Sequence, residues 1–181
     1  MNSDDAGARP GPSFHEPSAF SFDIDTTYPA ETPPVDIFAD LVRHLQSHYN
    51  ISRGVLILRE AEGTRYLVSA LVSDTGERKH LSLLLPGGSS LIRQAAEDGG
   101  IYTENFFGLF DGSLFEKNLL IGPETESFML HPVKYEGRVV GIVGLSSRTT
   151  DAFVTLDHGA LEPVLTQLGR RLVLQGQHSA S

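Results

Sequence analysis

From residue 35 onward, hydrophobic positions recur with two different periods, and the switches between them mark out the elements. Phe38, Leu41, Val42, Leu45 and Tyr49 fall at helical spacing. They follow Thr32-Pro33-Pro34, an entry suited to the first turn of a helix. Gly54 to Leu58 and Arg65 to Ser73 are β-type runs around the short loop Glu60-Ala61-Glu62-Gly63-Thr64, which predicts a hairpin. Ser73 to Glu77 turns the chain into a third run, Lys79 to Leu85.

Pro86-Gly87-Gly88-Ser89 then breaks the pattern, and Ser89 is placed to cap a short helix with the stripe Leu91, Ile92, Ala95 and Ala96. Gly99 would stop that helix, and Ile101-Tyr102-Thr103 reads as a brief strand. Asn105 to Glu126 is a long connection interrupted by Gly108, Gly112, Gly122 and Pro123, and loops of that length tend to be functional or mobile. A second hairpin follows. Phe128, Leu130 and Pro132 share one face, while Met129, His131 and Val133 share the other. Glu136-Gly137 supplies its turn. The return strand Val139 to Leu145 is apolar on both faces, as a strand covered on both sides would be. Its Gly141 and Gly144 would admit a close backbone or ligand. Leu161, Val164, Leu165, Leu168 and Leu172 form a closing helical stripe, with Thr155 as its expected cap. One antiparallel sheet with helices segregated to its faces makes an α+β domain.

Before residue 35 the composition changes. Six prolines punctuate residues 1–34, a stretch otherwise rich in Ser, Ala, Gly and Asp, and it is expected to be a disordered acidic tail. The expected domain therefore spans residues 35–175, with a short disordered tail at 176–181. One island, Phe20 to Asp25, alternates as a strand would; it reads as a stray hydrophobic patch in the tail, with a strand docking on a sheet edge of this molecule or a partner as the sharper alternative.

Charge and cysteine content narrow the chemistry. With 14 basic and 23 acidic residues the formal charge is −9, so a phosphate backbone would be repelled and nucleic acid is not an expected partner. No apolar run approaches a membrane span, and the first residues lack a secretory pattern; no membrane association and a cytoplasmic location are expected. There is no cysteine, which removes thioether attachment, Fe–S clusters and thiol nucleophiles together.

The segment His131-Pro132-Val133, followed by Glu136-Gly137-Arg138-Val139-Val140-Gly141-Ile142-Val143-Gly144-Leu145, resembles the GAF domain family. Phe153, Asp157 and Leu161 resemble the residues leading into that family's last helix, and Gly99-Gly100-Ile101-Tyr102 the segment after its middle helix. The resemblance covers about Val35 to Leu174. It implies a six-stranded antiparallel sheet with terminal helices on one face and a short helix and loops over the other. It also implies a small-molecule pocket and a homodimer through the terminal helices. Bilin-attaching members use a cysteine and methionine-sulfoxide-reductase members a cysteine pair, and this sequence has neither. The cyclic-nucleotide signature does not carry over either, since Lys117-Asn118 reverses its first pair.

The aromatics Tyr102, Phe106, Phe107, Phe110, Phe115 and Phe128 concentrate around the long connection. With Leu130, Ser89 and the carboxylate of Asp111, the candidate ligand site is Tyr102, Phe106, Phe107, Asp111, Phe115, Phe128, Leu130 and Ser89. Glu116 is a further polar candidate in the same connection. His44 and His48, four apart and off the apolar stripe, read as a solvated face rather than a metal pair. His131, weighed as an axial haem ligand, reads as a hydrogen-bonded core or edge histidine. No cofactor is therefore identified. No nucleophile elbow, Ser-His-Asp order or paired-carboxylate context is visible, so the chain is expected not to be an enzyme. The expected function is a stand-alone regulatory module that binds a small ligand and signals to a separate partner protein. The alternative is a ligand-free dimerisation or docking scaffold.

Overall fold

The computed structural model describes residues 20–179 apart from 63, 89, 106–109, 111, 121 and 123. Six strands form one antiparallel sheet in the order β3-β2-β1-β6-β5-β4: β1 Arg53–Arg59, β2 Tyr66–Val72, β3 Arg78–Leu84, β4 Tyr102–Glu104, β5 Ser127–Tyr135 and β6 Arg138–Ser147. The seam between β1 and β6 lies at the centre, with Leu56 opposite Val143 and Ile57 opposite Ile142. Glu136 (φ 50°) and Gly137 (φ 75°) join β5 to β6. Two consecutive left-handed residues make the hairpin turn whose twist matches that of the strands.

Side chains alternate between two cores. On one face Leu56, Met129, Val133, Val143 and Leu145 meet helices α2 (Pro34–His48) and α5 (His158–Ser179). These helices contribute Phe38, Leu41, Val42 and Leu45, and Leu161, Val164, Leu165 and Leu168. Glycine sets how closely they approach: a Cβ on Gly169 of α5 would stand 2.8 Å from the Lys134 carbonyl oxygen. On the other face Val55, Ile57, Tyr66, Phe128, Leu130 and Ile142 meet helices α3 (Leu91–Asp98) and α4 (Leu114–Leu120). Both faces of the central strands are covered, as their unbroken apolar run requires.

Several local expectations change. Residues 20–34, expected in the tail, instead carry the single turn α1 (Ile24–Thr27), with Phe20 and Ile24 buried in the first core. The alternating Phe20–Asp25 stretch is therefore not a strand. Asp23 caps that turn by accepting from the amides of Asp25 and Thr26, and the segment lies on α2 and α5. The long connection contains α4, which its flanking glycines had hidden. Ser90 rather than Ser89 caps α3, and Asp157 rather than Thr155 caps α5, accepting from the Ala160 amide at 3.0 Å. Helix α5 continues through Ser179, beyond the expected end of the domain at 175. Residues 1–19 and 180–181 of the expected tails lie outside the described residues.

Segment 20–32 is held by polar as well as apolar contacts. The Ile24 amide donates to Gln167 Oε1 at 2.9 Å, and Arg171 donates to the carbonyls of Pro29 (2.6 Å) and Tyr28 (2.8 Å). Tyr28 donates its hydroxyl to Asp40 at 2.9 Å, and Arg170 pairs with Asp25. His44, read from the sequence as solvated, is half-buried beneath this segment, its ring 5.2 Å from Phe20 and 5.5 Å from Phe22.

Candidate ligand-binding face

The face of the sheet under α3 and α4 is where the sequence places a pocket. Tyr102 from β4 and Phe128 from β5 pack with ring centroids 5.9 Å apart, and Phe110 lies 5.8 Å from Phe128. Leu130 is fully buried beside them, and Phe115 packs against the same cluster from α4. Ser89, Phe106, Phe107 and Asp111 lie outside the described residues. The structure thus brings Tyr102, Phe115, Phe128 and Leu130 together, around a core that the described residues pack. Leu119 and Leu120 of α4 close it from above, and a Cβ on Gly144 would come within 2.9 Å of Leu120 Cδ2. The space opposite that glycine is taken by the chain itself.

Glu116, a seven-residue helix's one inward-facing charge, is buried. Its carboxylate accepts from the amides of Ile92 (2.9 Å), Ser113 (2.9 Å) and Leu91 (3.2 Å) and from the hydroxyls of Ser90 and Ser113. Burial pushes this carboxyl up, but the bonds from Ser90, Ile92, Ser113 and Leu91 together outweigh it and hold it below the ordinary glutamate value. Negative charge at a helix N-terminus also meets the positive end of the α3 dipole. Glu116 therefore clamps α4 to α3 and is not exposed to an open pocket.

A residue outside the expected set stands out on this face. Tyr66 at the start of β2 is 2% exposed, yet its hydroxyl has no hydrogen-bond partner among the described residues. Arg93 of α3 lies over its ring, Cζ 5.1 Å from the centroid, and donates to the carbonyls of Thr64 and Leu85. An arginine spread over an aromatic face adds a modest attraction. Tyr66 lies far from the aromatic cluster in sequence; its strand position beside Arg65 gave no sign of an inward hydroxyl.

On the opposite face His131 is buried. Its Nδ1 lies 2.9 Å from the Pro132 carbonyl, which fixes the proton there, while Nε2 is buried without a partner among the described residues. Burial is the main force holding this imidazole below its usual value. Among the described residues, two recesses lie away from the aromatic cluster. One, of about 130 Å³, is bounded by Gly100, Pro132 and Glu162; an open groove of about 1250 Å³ runs beside the β5–β6 turn. Among the described residues no group of three His, Asp or Glu side chains could hold a metal, and no helix is long and apolar enough to cross a membrane.

A family model for the GAF domain matches residues 33–172. The chain belongs to the GAF domain family. No curated protein matches its sequence. Solved GAF domains share its fold at low identity. That of a phosphoenolpyruvate-protein phosphotransferase from Coxiella burnetii superposes with TM-score 0.66 at 14% identity, over 83% of this chain and 88% of that one. That of a two-component sensor histidine kinase from Bacillus halodurans gives 0.63 at 16%, over 80% and 96%. The type II free methionine-R-sulfoxide reductase from Thermoplasma acidophilum gives 0.60 at 17%, over 77% and 92%. This last likeness corrects the expectation that the chain is not an enzyme. The GAF fold serves catalysts as well as regulatory modules, and a fold does not decide between them.

Proposed function

We propose that this GAF protein is a regulatory module that binds a small ligand on the α3–α4 face and passes the bound state to a separate partner protein. The observation that carries this reading is the Tyr66 hydroxyl. Leaving a buried hydroxyl unpaired costs roughly 1–3 kcal/mol, a penalty that a ligand donor or acceptor would remove. On the same face, towards the other end of the sheet, Phe128, Tyr102 and Phe115 supply the apolar, aromatic lining usual for small-molecule sites. Because Leu119 and Leu120 fill this face, a ligand would enter as α4 lifts. Movement of α4 would then be the signal.

The filled face itself favours a second reading, a docking scaffold that has no ligand. Native mass spectrometry of protein purified from its own cells, followed by a thermal-shift screen of metabolites, separates the two. A ligand at one hundred times its dissociation constant adds about 2.7 kcal/mol to stability. The module reading expects a compound that raises the melting temperature of the wild type and acts more weakly on Tyr66→Phe. If nothing co-purifies and no compound shifts melting, the scaffold stands instead.

A further inference from the structure

Segment 20–32 covers α2 and α5, and the imidazole of His44 lies beneath it. We propose that residues 20–32 form a releasable strap over the α2–α5 face, held closed by a neutral His44 and opened when that ring takes up a proton.

The geometry gives a charge at His44 no compensating side chain among the described residues. Its ring stands between Phe20 (5.2 Å) and Phe22 (5.5 Å), and its Nε2 is buried with no partner among the described residues. Along α2, His48 lies one turn on, its ring 4.3 Å away, and would repel a second positive charge. Asp40, one turn back, is already engaged by the Tyr28 hydroxyl and Arg43. On the strap, Asp23 accepts from Gln167 and Asp25 pairs with Arg170, so both carboxylates are turned to α5. Tyr49 contributes its ring to Phe20. Only the backbone of Ser21 favours the charged imidazole; desolvation first, then His48, oppose it.

The direction follows by linkage. With the strap closed, His44 sits below its ordinary value of 6.5; with the strap open it is rehydrated and moves back up towards that value. Closure is therefore fully stabilised above the ordinary value. It weakens as pH falls through 6.5 towards the depressed one, the opening constant rising by up to about tenfold per pH unit. Release would bare the apolar seats of Phe20 and Ile24 on the two terminal helices.

Hydrogen exchange of the full chain between about pH 7.5 and 5, corrected for intrinsic chemical rates, tests this. The amides of Ile24 and Tyr28 report the strap, and those of β6 report global opening. Strap opening is expected to rise several-fold on acidification while β6 stays level. His44→Phe and His44→Gln should each abolish the rise, and His48→Gln should move it to higher pH. A flat wild-type response, an equal change in β6, or persistence of the slope in both His44 variants overturns the proposal.

Discussion

Leu120 Cδ2 lies 2.9 Å from where a Cβ on Gly144 would be, so α4 rests on the sheet at a point where β6 has no side chain. The neighbouring Gly141 faces a harder obstacle, since its Cβ would stand 2.7 Å from the Ile57 carbonyl oxygen. A leucine terminus can rotate away, whereas sheet backbone cannot without breaking the seam. Gly144→Ala should therefore sit at the low end of the roughly 1–3 kcal/mol typical of overpacking, and Gly141→Ala at or above its top. Urea denaturation of the two variants gives the ranking; equal losses would contradict this account.

Glu116→Gln removes the charge from the clamp between α4 and α3 while keeping its shape. Hydrogen bonds to a charged group are worth about 1.5–3 kcal/mol each, and a loss of that order is expected. Because the folded carboxyl lies below its ordinary value of 4.5, its contribution is complete above that pH. It fades as pH falls towards the depressed value. The difference in unfolding midpoint between wild type and variant should shrink over that acid range. A difference independent of pH would mean the carboxylate is not what the amides hold.

Tyr66→Phe offers an opposite expectation. Deleting an unpartnered buried hydroxyl should leave the ligand-free protein as stable as before, or more stable by up to about 1 kcal/mol. Calorimetry decides it: a clear drop in melting temperature would reveal a partner for the hydroxyl and remove the anchor from the proposed site.

In the β5–β6 turn, Glu136 occupies a left-handed position (φ 50°) better suited to asparagine. Glu136→Asn should stabilise by a few tenths to about 1 kcal/mol, whereas Gly137→Ala should cost about 1 kcal/mol. Chemical denaturation with unchanged m-values would confirm that only the turn has been altered.

The two arginines at the strap differ in burial. Arg171 is 7% exposed and binds two strap carbonyls, while Arg170 makes a largely solvent-exposed pair with Asp25. Arg171→Ala should raise hydrogen exchange at residues 24–28 strongly, and Arg170→Ala only slightly. Similar effects from both would show that the strap is held by surface charge.

What could be read from the chain was whatever local chemistry dictates. The Glu136-Gly137 turn and the doubly apolar β6 placed the second hairpin within a residue or two, because a left-handed turn and a strand buried on both faces leave marks in composition. Helix α4 left almost none. Seven residues between glycines have little helical tendency alone, and they are ordered by burying Leu119, Leu120 and a carboxylate whose partners belong to α3. The strap misled for a related reason. Phe20 and Ile24 are core residues in a segment that Gln167 and Arg171, distant in sequence, hold at Ile24, Tyr28 and Pro29, and their alternation imitated a strand. The aromatic cluster was legible as a group, but whether it enclosed space depended on Leu120 reaching Gly144.

The seam between β1 and β6 has a kinetic meaning. Its partners come from opposite ends of the domain, so the centre of the sheet cannot zip up until nearly the whole chain has been made. The β5–β6 hairpin, contiguous in sequence, can form quickly, but it then presents a bare apolar edge until β1 arrives. Folding rates fall as pairing becomes less local, and exposed strand edges invite association between chains. The strand that makes the finished domain secure is thus the one that leaves the newly made chain most vulnerable.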